Sequence, residues 1–422
     1  MSKQASMFVL GWFLLVSCVQ AGVIDETGVE GGLVAVVGYD STICDEMIDA
    51  VESGPYVTRL LDGDPRKVAE ARRHIVEHGA YGKVTANVWA SDRLPYTDNL
   101  VNLLIITNAE QRIPDAEVMR ALAPRGVAIF GGRKIVKPVP AEIDDWTHYL
   151  HGADGNAVAE DTRIHNPRRM QWRSGPNHTR DHDALASISA MVSSGGKLFY
   201  IIDEAPTSLI HHPPQWRLVA RDAFNGVVLW KRDIRDWVSQ LYAFRSGPVW
   251  LPRKLVAVDD RVYTTLTFNG PVVALDAATG ESVKEFEGTE KTEEILIHDG
   301  MLLMAVGDPA VMNDKFAVRS DGDRYGMEEA EQEDPGIARS ILAYDAKTGE
   351  RMWEKSGGNM DRLIPTTLCA KDGNVYYMDN NSLFCVDLET GKEKWASPFQ
   401  TTEYFIRHFA PTLVASEKAV VC

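Results

Sequence analysis

ILAYDAKTGERMW, residues 341–353, is an apolar run into an Asp, a turn closed by Gly, and a strand that ends in Trp. Three more copies follow the same plan: LVARDAFNGVVLW at 218–230, VVALDAATGESVKEF at 272–286 and LFCVDLETGKEKW at 383–395. Side chains in a strand alternate between two faces, so Leu342 with Tyr344, or Leu383 with Cys385, mark half-buried strands. The carboxylate of Asp345 can accept the turn's N–H groups, and Gly349 takes positive φ without a Cβ clash. Asp222, Asp276 and Asp387 hold the same place in the other copies, as do Gly226, Gly280 and Gly391. Trp230, Trp353 and Trp395 follow their glycines at one offset and are expected to wedge against the next unit. In the second copy Lys284 holds that offset and Phe286 is the nearest aromatic, so its docking is expected to differ.

A supersecondary unit recurring every roughly 40 residues marks a propeller or a solenoid. Further strand signals precede each phrase, at 195–204, 259–270, 299–308 and 372–381. Two strands before the phrase, one in it and one after it make the four-stranded sheet of a propeller blade. A polar insertion at 309–338 interrupts the third unit and is expected to be disordered or solvent-facing. The pattern resembles the pyrroloquinoline quinone (PQQ) repeat, A-x-D-x-x-T-G-x-x-x-W, over about 145–422, and the segment 144–172 looks like the strand that leads into such propellers. The resemblance implies an all-β propeller; the same blades build quinone-dependent alcohol dehydrogenases and a cofactor-free outer-membrane assembly lipoprotein. Such propellers usually have about seven or eight blades. With four blades and a first strand of a fifth at 411–422, the resemblance implies a truncated chain.

The N-terminus reads as an export signal. Lys3 precedes the apolar run MFVLGWFLLV at 7–16, the length of a signal-peptide core and too short to span a bilayer. LVSC at 15–18 resembles a bacterial lipobox, in which Cys18 would be lipidated; the competing cut falls after Ala21. The expectation is a periplasmic or envelope-associated protein that meets the membrane only through a lipid anchor. The formal charge of −16 argues against nucleic acid or anionic lipid as a main partner. The five cysteines include no C-x-x-C. Cys369 and Cys385, on the first and third strands of one blade, would lie about 10 Å apart, too far for a disulfide.

Residues 31–137 form a different module. GGLVAVVGYD at 31–40 is an apolar strand with a Gly turn, and VTRLLDGDPRKVAEARRHI at 57–75 is a strand, an acidic tip and an amphipathic helix. Further strand and helix signals at 83–108 and 114–132 predict a parallel, doubly wound, Rossmann-like sheet with ligands at the carboxyl ends of its strands. The order resembles the S-adenosylmethionine-dependent methyltransferase core, most specifically in LPYTDNLVNLLII at 94–106 and EVMRALAPRGVAIF at 117–130. Carried over, that resemblance puts the glycine loop at Gly38 to Asp40, the ribose-binding acid at Asp62 or Asp64, and Ser91 and Asp92 near the adenine. Two departures point to a degenerate, structural domain: Gly38 stands alone before Tyr39, and Asn102 replaces an acid common in the fourth strand.

His178, His182 and Asp183 have a spacing that can ligate a metal, although a polar loop at the propeller mouth is the simpler reading. Arg173, Arg180 and Arg245 could meet an anionic ligand in the central channel, although pairing with local carboxylates is the simpler reading, and Asp145, Trp146 and His148 are expected to pin the lead-in strand. Quinone-dependent relatives hold Ca²⁺ beside PQQ and often carry vicinal cysteines; this chain has no such cysteine pair. Three readings follow: an exported scaffold binding a protein, glycan or small molecule through its propeller faces, a PQQ- and Ca²⁺-dependent oxidoreductase acting on alcohols or sugars, and a methyltransferase using S-adenosylmethionine.

Overall fold

The computed structural model describes residues 22–107, 113–163, 170–175, 177–178, 180, 185–209, 211–240, 247–307, 338–399 and 411–422. The insertion at 309–338 lies almost wholly outside them. After a short helix α1 (Val23–Thr27), the N-terminal part builds β1 (Gly32–Val37), α2 (Ser41–Ser53), β2 (Tyr56–Asp62), α3 (Pro65–Glu77), β3 (Val84–Val88), β4 (Val101–Ile106), α4 (Asp115–Ala121), β5 (Leu122–Phe130) and β6 (Arg133–Val136). The sheet order is β3-β2-β1-β4-β5-β6, parallel except for the β5–β6 hairpin. Strands covered on both faces read as continuous apolar runs, and Val34 to Val37 are fully buried. Asp40 and Asp64 cap α2 and α3 by accepting from Ile43 N and Arg66 N, and Pro65 sits at the first position of α3, where its missing N–H costs nothing. Val68, Ala71 and Ile75 give α3 its buried stripe. Between β3 and β4 there is no helix: Trp89, Leu94 and Tyr96 pack a turn-rich stretch onto the second face of the sheet instead.

Among the described residues, four antiparallel four-stranded sheets follow. Blade 1 comprises Ile188–Ser194, Lys197–Asp203, Trp216–Asp222 and Val228–Asp233; blade 2 comprises Leu255–Val258, Arg261–Thr265, Val272–Asp276 and Ser282–Phe286. Blade 3 comprises Thr292–His298, Met301–Val306, Ser340–Asp345 and Arg351–Ser356; blade 4 comprises Ile364–Lys371, Asn374–Met378, Ser382–Asp387 and Glu393–Pro398. Each is a meander, and the first strands of successive blades lie side by side. A two-stranded piece, Val414–Ala415 with Val420–Val421, packs beside the first strand of blade 4. No helix among the described residues is long and apolar enough to cross a membrane.

The repeated turns form as their residues dictate. Oδ1 of Asp345 accepts from Lys347 N (3.0 Å) and Thr348 N (2.6 Å), while Gly349 N donates to Asp345 O (2.8 Å) at φ +72°. Asp222, Asp276 and Asp387 close Gly226, Gly280 and Gly391 in the same way. These glycines also receive the previous unit. The Trp230 ring lies on Gly280 and its Nε1 donates to Ala277 O (3.0 Å); the Trp353 ring lies on Gly391 and its Nε1 donates to Leu388 O (2.8 Å). Lys284 substitutes by laying its stem on Gly349 and donating Nζ to Thr348 O (3.1 Å). Trp172, ahead of blade 1, fills the same role on Gly226 and donates to Ala223 O (2.9 Å). Trp395 departs from the pattern: it is 42% exposed and lies against Tyr376. Cys369 and Cys385 are both free thiols.

The described residues of the lead-in segment form no strand. Its regular pairing is limited to one bridge, His148 to His151, because its groups are spent on a different blade at each step. Trp146 O accepts from Ser193 N (2.7 Å) of blade 1, and Thr147 O from Ala257 N (2.9 Å) of blade 2. His148 Nε2 accepts from Ile297 N (3.0 Å) of blade 3. Ala153 O accepts from Ala370 N (2.8 Å) of blade 4, and Asp154 O from Ala415 N (2.9 Å). All five donors stand two residues before the turn that ends their strand. Gly155, at φ +71°, lets the backbone pass Leu413 O, which a Cβ would meet at 2.2 Å.

Candidate functional site

At the carboxyl ends of the parallel strands, Gly38 follows β1 at φ +93°. Asp62, ending β2 and 9% exposed, accepts from Tyr39 N (2.7 Å) through Oδ2 and from Asp64 N (2.8 Å) through Oδ1. Thr107 Oγ1 donates to Gly38 O (2.9 Å), so the loop after β1 is tied to both neighbouring strands. Asp40 and Asp64 are spent as helix caps. Ser91 and Asp92 are exposed, and Ser91 Oγ accepts from Arg93 N (3.1 Å). Gly38, Asp62 and Asp64 thus come together, with both oxygens of the buried carboxylate already engaged by backbone. Asn102 is not at this end. It starts β4 at the opposite pole, where its Oδ1 accepts from Leu33 N (2.8 Å).

There Asn102 meets the propeller. Its Nδ2 donates to Asp222 Oδ2 (2.6 Å), and Asn225 Nδ2 donates to Asn102 Oδ1 (2.6 Å) and Leu100 O (3.0 Å). Gln171 Nε2 bridges Asn99 O (3.2 Å) and Phe224 O (2.9 Å), and Lys197 pairs with Glu30 at 3.2 Å. The other three repeats carry Thr where blade 1 carries Asn225. That exception sets blade 1 apart from the other repeats without naming the partner of Asn225.

Charged side chains are buried in pairs at the first strand of blade 3. Arg253 Nη1 meets Glu294 Oε2 at 2.9 Å, and Arg339 Nε meets Glu293 Oε2 at 2.8 Å. Burial pushes the Glu294 carboxyl up to about 7 against the pull of Arg253. Lys254 is wholly buried; its Nζ donates to Phe268 O (2.7 Å), lies over the Phe268 ring at 4.1 Å, and is depressed to about 7 by desolvation. His148 is held at about 3 by burial and by the neighbouring charge of His298. Its Nδ1–H has Thr147 Oγ1 as acceptor (2.7 Å), because that hydroxyl donates to His151 O (3.0 Å); the Nε2 lone pair is then left for Ile297 N–H. Asp145 accepts from Gly195 N (3.0 Å), so the three residues expected to pin the lead-in do so.

A cleft of about 800 Å³ opens between blades 1 and 2. Trp216, Trp237 and Phe268 form its apolar wall, and Arg217, Arg235 and Asp236 contribute charge. Trp216 Nε1 donates to Val238 O (2.8 Å), which fixes the indole in the wall. No periodicity announced this cleft.

Among the sequence candidates, Arg180 pairs with Asp203 at 2.6 Å, both side chains buried, and also donates to Leu209 O (2.8 Å). His178 and Arg173 are exposed, whereas His182, Asp183 and Arg245 lie outside the described residues, as does Cys18. The proposed grouping of His178 with His182 and Asp183 therefore lies mostly outside the described residues.

Fold and site together define a propeller of four-stranded blades fastened to a Rossmann-like α/β domain. Residues 216–422 match the family described as outer membrane protein assembly factor BamB. A curated relative, the serine/threonine-protein kinase AfsK of Streptomyces coelicolor, is 28% identical over 167 residues, 36% of this chain and 19% of that protein. This chain therefore spans about a fifth of the relative's length. Among solved structures, quinohemoprotein alcohol dehydrogenase from Comamonas testosteroni matches with a TM-score of 0.37 and 15% identity, covering 62% of this chain and 42% of that one. A putative sarcosine dimethylglycine methyltransferase from Galdieria sulphuraria matches with a TM-score of 0.22 and 18% identity, covering 25% and 42%. A methyltransferase from Aquifex aeolicus gives 0.23 and 19%, covering 25% and 59%.

Proposed function

We propose that this protein is an exported interaction scaffold that holds a protein partner at the face of its propeller, with the α/β domain acting as a fixed flank of blade 1. The observation that carries this reading is the cleft between blades 1 and 2. Its volume of about 800 Å³ falls in the range of binding sites, and the exposed Arg235 and Asp236 stand at its mouth over a floor of buried Trp216, Trp237 and Phe268. A protein partner is favoured because the family matched by residues 216–422 is described as an assembly factor. A structural role for the α/β domain is supported by Asp62, whose oxygens both hold backbone N–H groups, and by the Asn102 contact to blade 1.

Export rests on Lys3, the apolar run at 7–16 and either Cys18 or the cut after Ala21. Fractionation of the natural chain beside a Cys18→Ser variant separates a lipid-anchored from a released protein. The scaffold itself is tested by placing a photo-crosslinker at Arg235 or Asp236 in the cleft and at the exposed Val283 off it. A defined protein adduct formed only from the cleft positions supports the reading. Tight Ca²⁺-dependent binding of PQQ in calorimetry would replace it with an oxidoreductase, and binding of S-adenosylmethionine would replace it with a methyltransferase.

A further inference from the structure

Among the described residues outside the sites above, one group of side chains has the chemistry of a metal centre. His74 and His78 stand four residues apart on α3 and its C-cap, so they share one face of the helix. Asp45, on the neighbouring helix α2, reaches the same place. One donor atom from each of the three lies within 4.8 Å of the others, and the imidazole centroids of His74 and His78 are 4.5 Å apart.

Two hydrogen bonds prepare these donors. His78 Nδ1 lies 2.8 Å from His74 O; a carbonyl only accepts, so Nδ1 carries the proton and Nε2 keeps the lone pair. Histidines that bind metals commonly donate their other ring N–H to a backbone carbonyl in this way. His74 Nε2 lies 2.5 Å from Asp45 Oδ1, a contact bridged by a single proton. A divalent cation can take the place of that proton and draw both atoms to about 2.0–2.2 Å. The side chain of Asp45 is 54% exposed and that of His74 24%, so an ion can enter and the fourth position is open to water. Imidazole and carboxylate donors in a small, open set suit Zn²⁺ over Ca²⁺ or Mg²⁺, which favour all-oxygen sites.

We infer that Asp45, His74 and His78 form a Zn²⁺ site that clips α2 to α3. The bound ion joins two helices that cover the same face of the sheet, adding stability to the α/β domain without touching the Gly38 loop. Because the imidazoles must be neutral to bind, protons compete and affinity falls as the pH is lowered.

The test is titration of the chelator-treated full-length chain with Co²⁺, read by visible ligand-field absorption, followed by displacement with Zn²⁺. One equivalent should produce a band that Zn²⁺ abolishes. His78→Gln and His74→Gln should each weaken binding by more than about tenfold. A paired His178→Ala and His182→Ala variant should leave the titration unchanged, and circular dichroism of each variant establishes that it folds. No band in the natural chain, or a band that survives both glutamine variants, overturns the assignment. Loss of the band in the His178/His182 variant alone moves the metal to the propeller and overturns it equally.

Discussion

Asn102 Nδ2 donates to Asp222 Oδ2 at 2.6 Å, joining the start of β4 to the turn between the third and fourth strands of blade 1. Asp222 uses Oδ1 for its own turn, from Phe224 N and Asn225 N at 2.9 Å, so one carboxylate organises a repeat and holds a second domain. Burial raises the Asp222 carboxyl above the usual range, and the Asn102 amide is the first of the groups that oppose the shift. Asn102→Asp should therefore be the most damaging isosteric change at this interface. It sets two carboxylates together, and the loss should be about 3 kcal/mol at neutral pH, shrinking as acid protonates one of the pair. Chemical unfolding of the two proteins at pH 7 and pH 5 measures both effects.

The tryptophan seats give a second prediction. Gly391 and Gly373 have nearly the same φ, +67° and +68°, but a Cβ on Gly391 would meet the Trp353 ring at 2.7 Å while one on Gly373 would meet nothing within 4 Å. Gly373→Ala should cost about 1 kcal/mol for its left-handed backbone alone. Gly391→Ala should cost about 1–3 kcal/mol more, since the indole must move off its seat. Thermal melts of the pair isolate the docking contribution, and a Trp353→Leu background should remove most of the difference.

Acid should loosen the hold of the lead-in segment on blade 3 through His148. Its folded pKa of about 3 lies below the ordinary 6.5, so above pH 6.5 both folded and unfolded chains carry it neutral. As pH falls through that window the unfolded chain takes up a proton that the folded one refuses, and stability drops by an amount on the order of a few kcal/mol. His148→Gln keeps an acceptor for Ile297 N–H and should flatten the decline between pH 6.5 and pH 3. Denaturant midpoints across that range, compared between the two chains, read the effect directly.

Asp62 should behave as a latch. Asp62→Ala strands Tyr39 N and Asp64 N and should cost about 1–3 kcal/mol. Amide hydrogen exchange should speed up locally in residues 38–41, with the blades unchanged. Acceleration spread evenly over both domains would contradict the latch.

The blades were legible because everything that makes them is local. Asp345, Thr348 and Gly349 act within five residues, and the strand alternation on either side is equally short in range. Tryptophan docking was readable one step further, because a constant offset from Gly implies a constant neighbour. Lys284 shows the limit: the sequence announced an exception, and only the packing revealed that a lysine stem can cover a glycine seat. The lead-in was misread as a strand because its pairing is with five separate chain segments, which imposes no alternation on 144–155. In the α/β domain, the apolar strands and capped helices were visible, while the missing helix between β3 and β4 was hidden by Trp89, Leu94 and Tyr96, whose apolar character suits helix or turn alike.

By itself, the sequence determined the blade, its Asp-anchored turn and the alternating strands and helices of the first domain, since these depend on propensities and hydrogen bonds within one unit. Tertiary structure alone decided the rest. Asn102 and Asp222 are 120 residues apart, and His148 and Ile297 are 149 apart. The cleft between blades 1 and 2 and the cluster of Asp45, His74 and His78 likewise join separate elements. Such contacts are set by the angle at which finished elements pack, and a single non-repeating contact leaves no period in the sequence from which to read it.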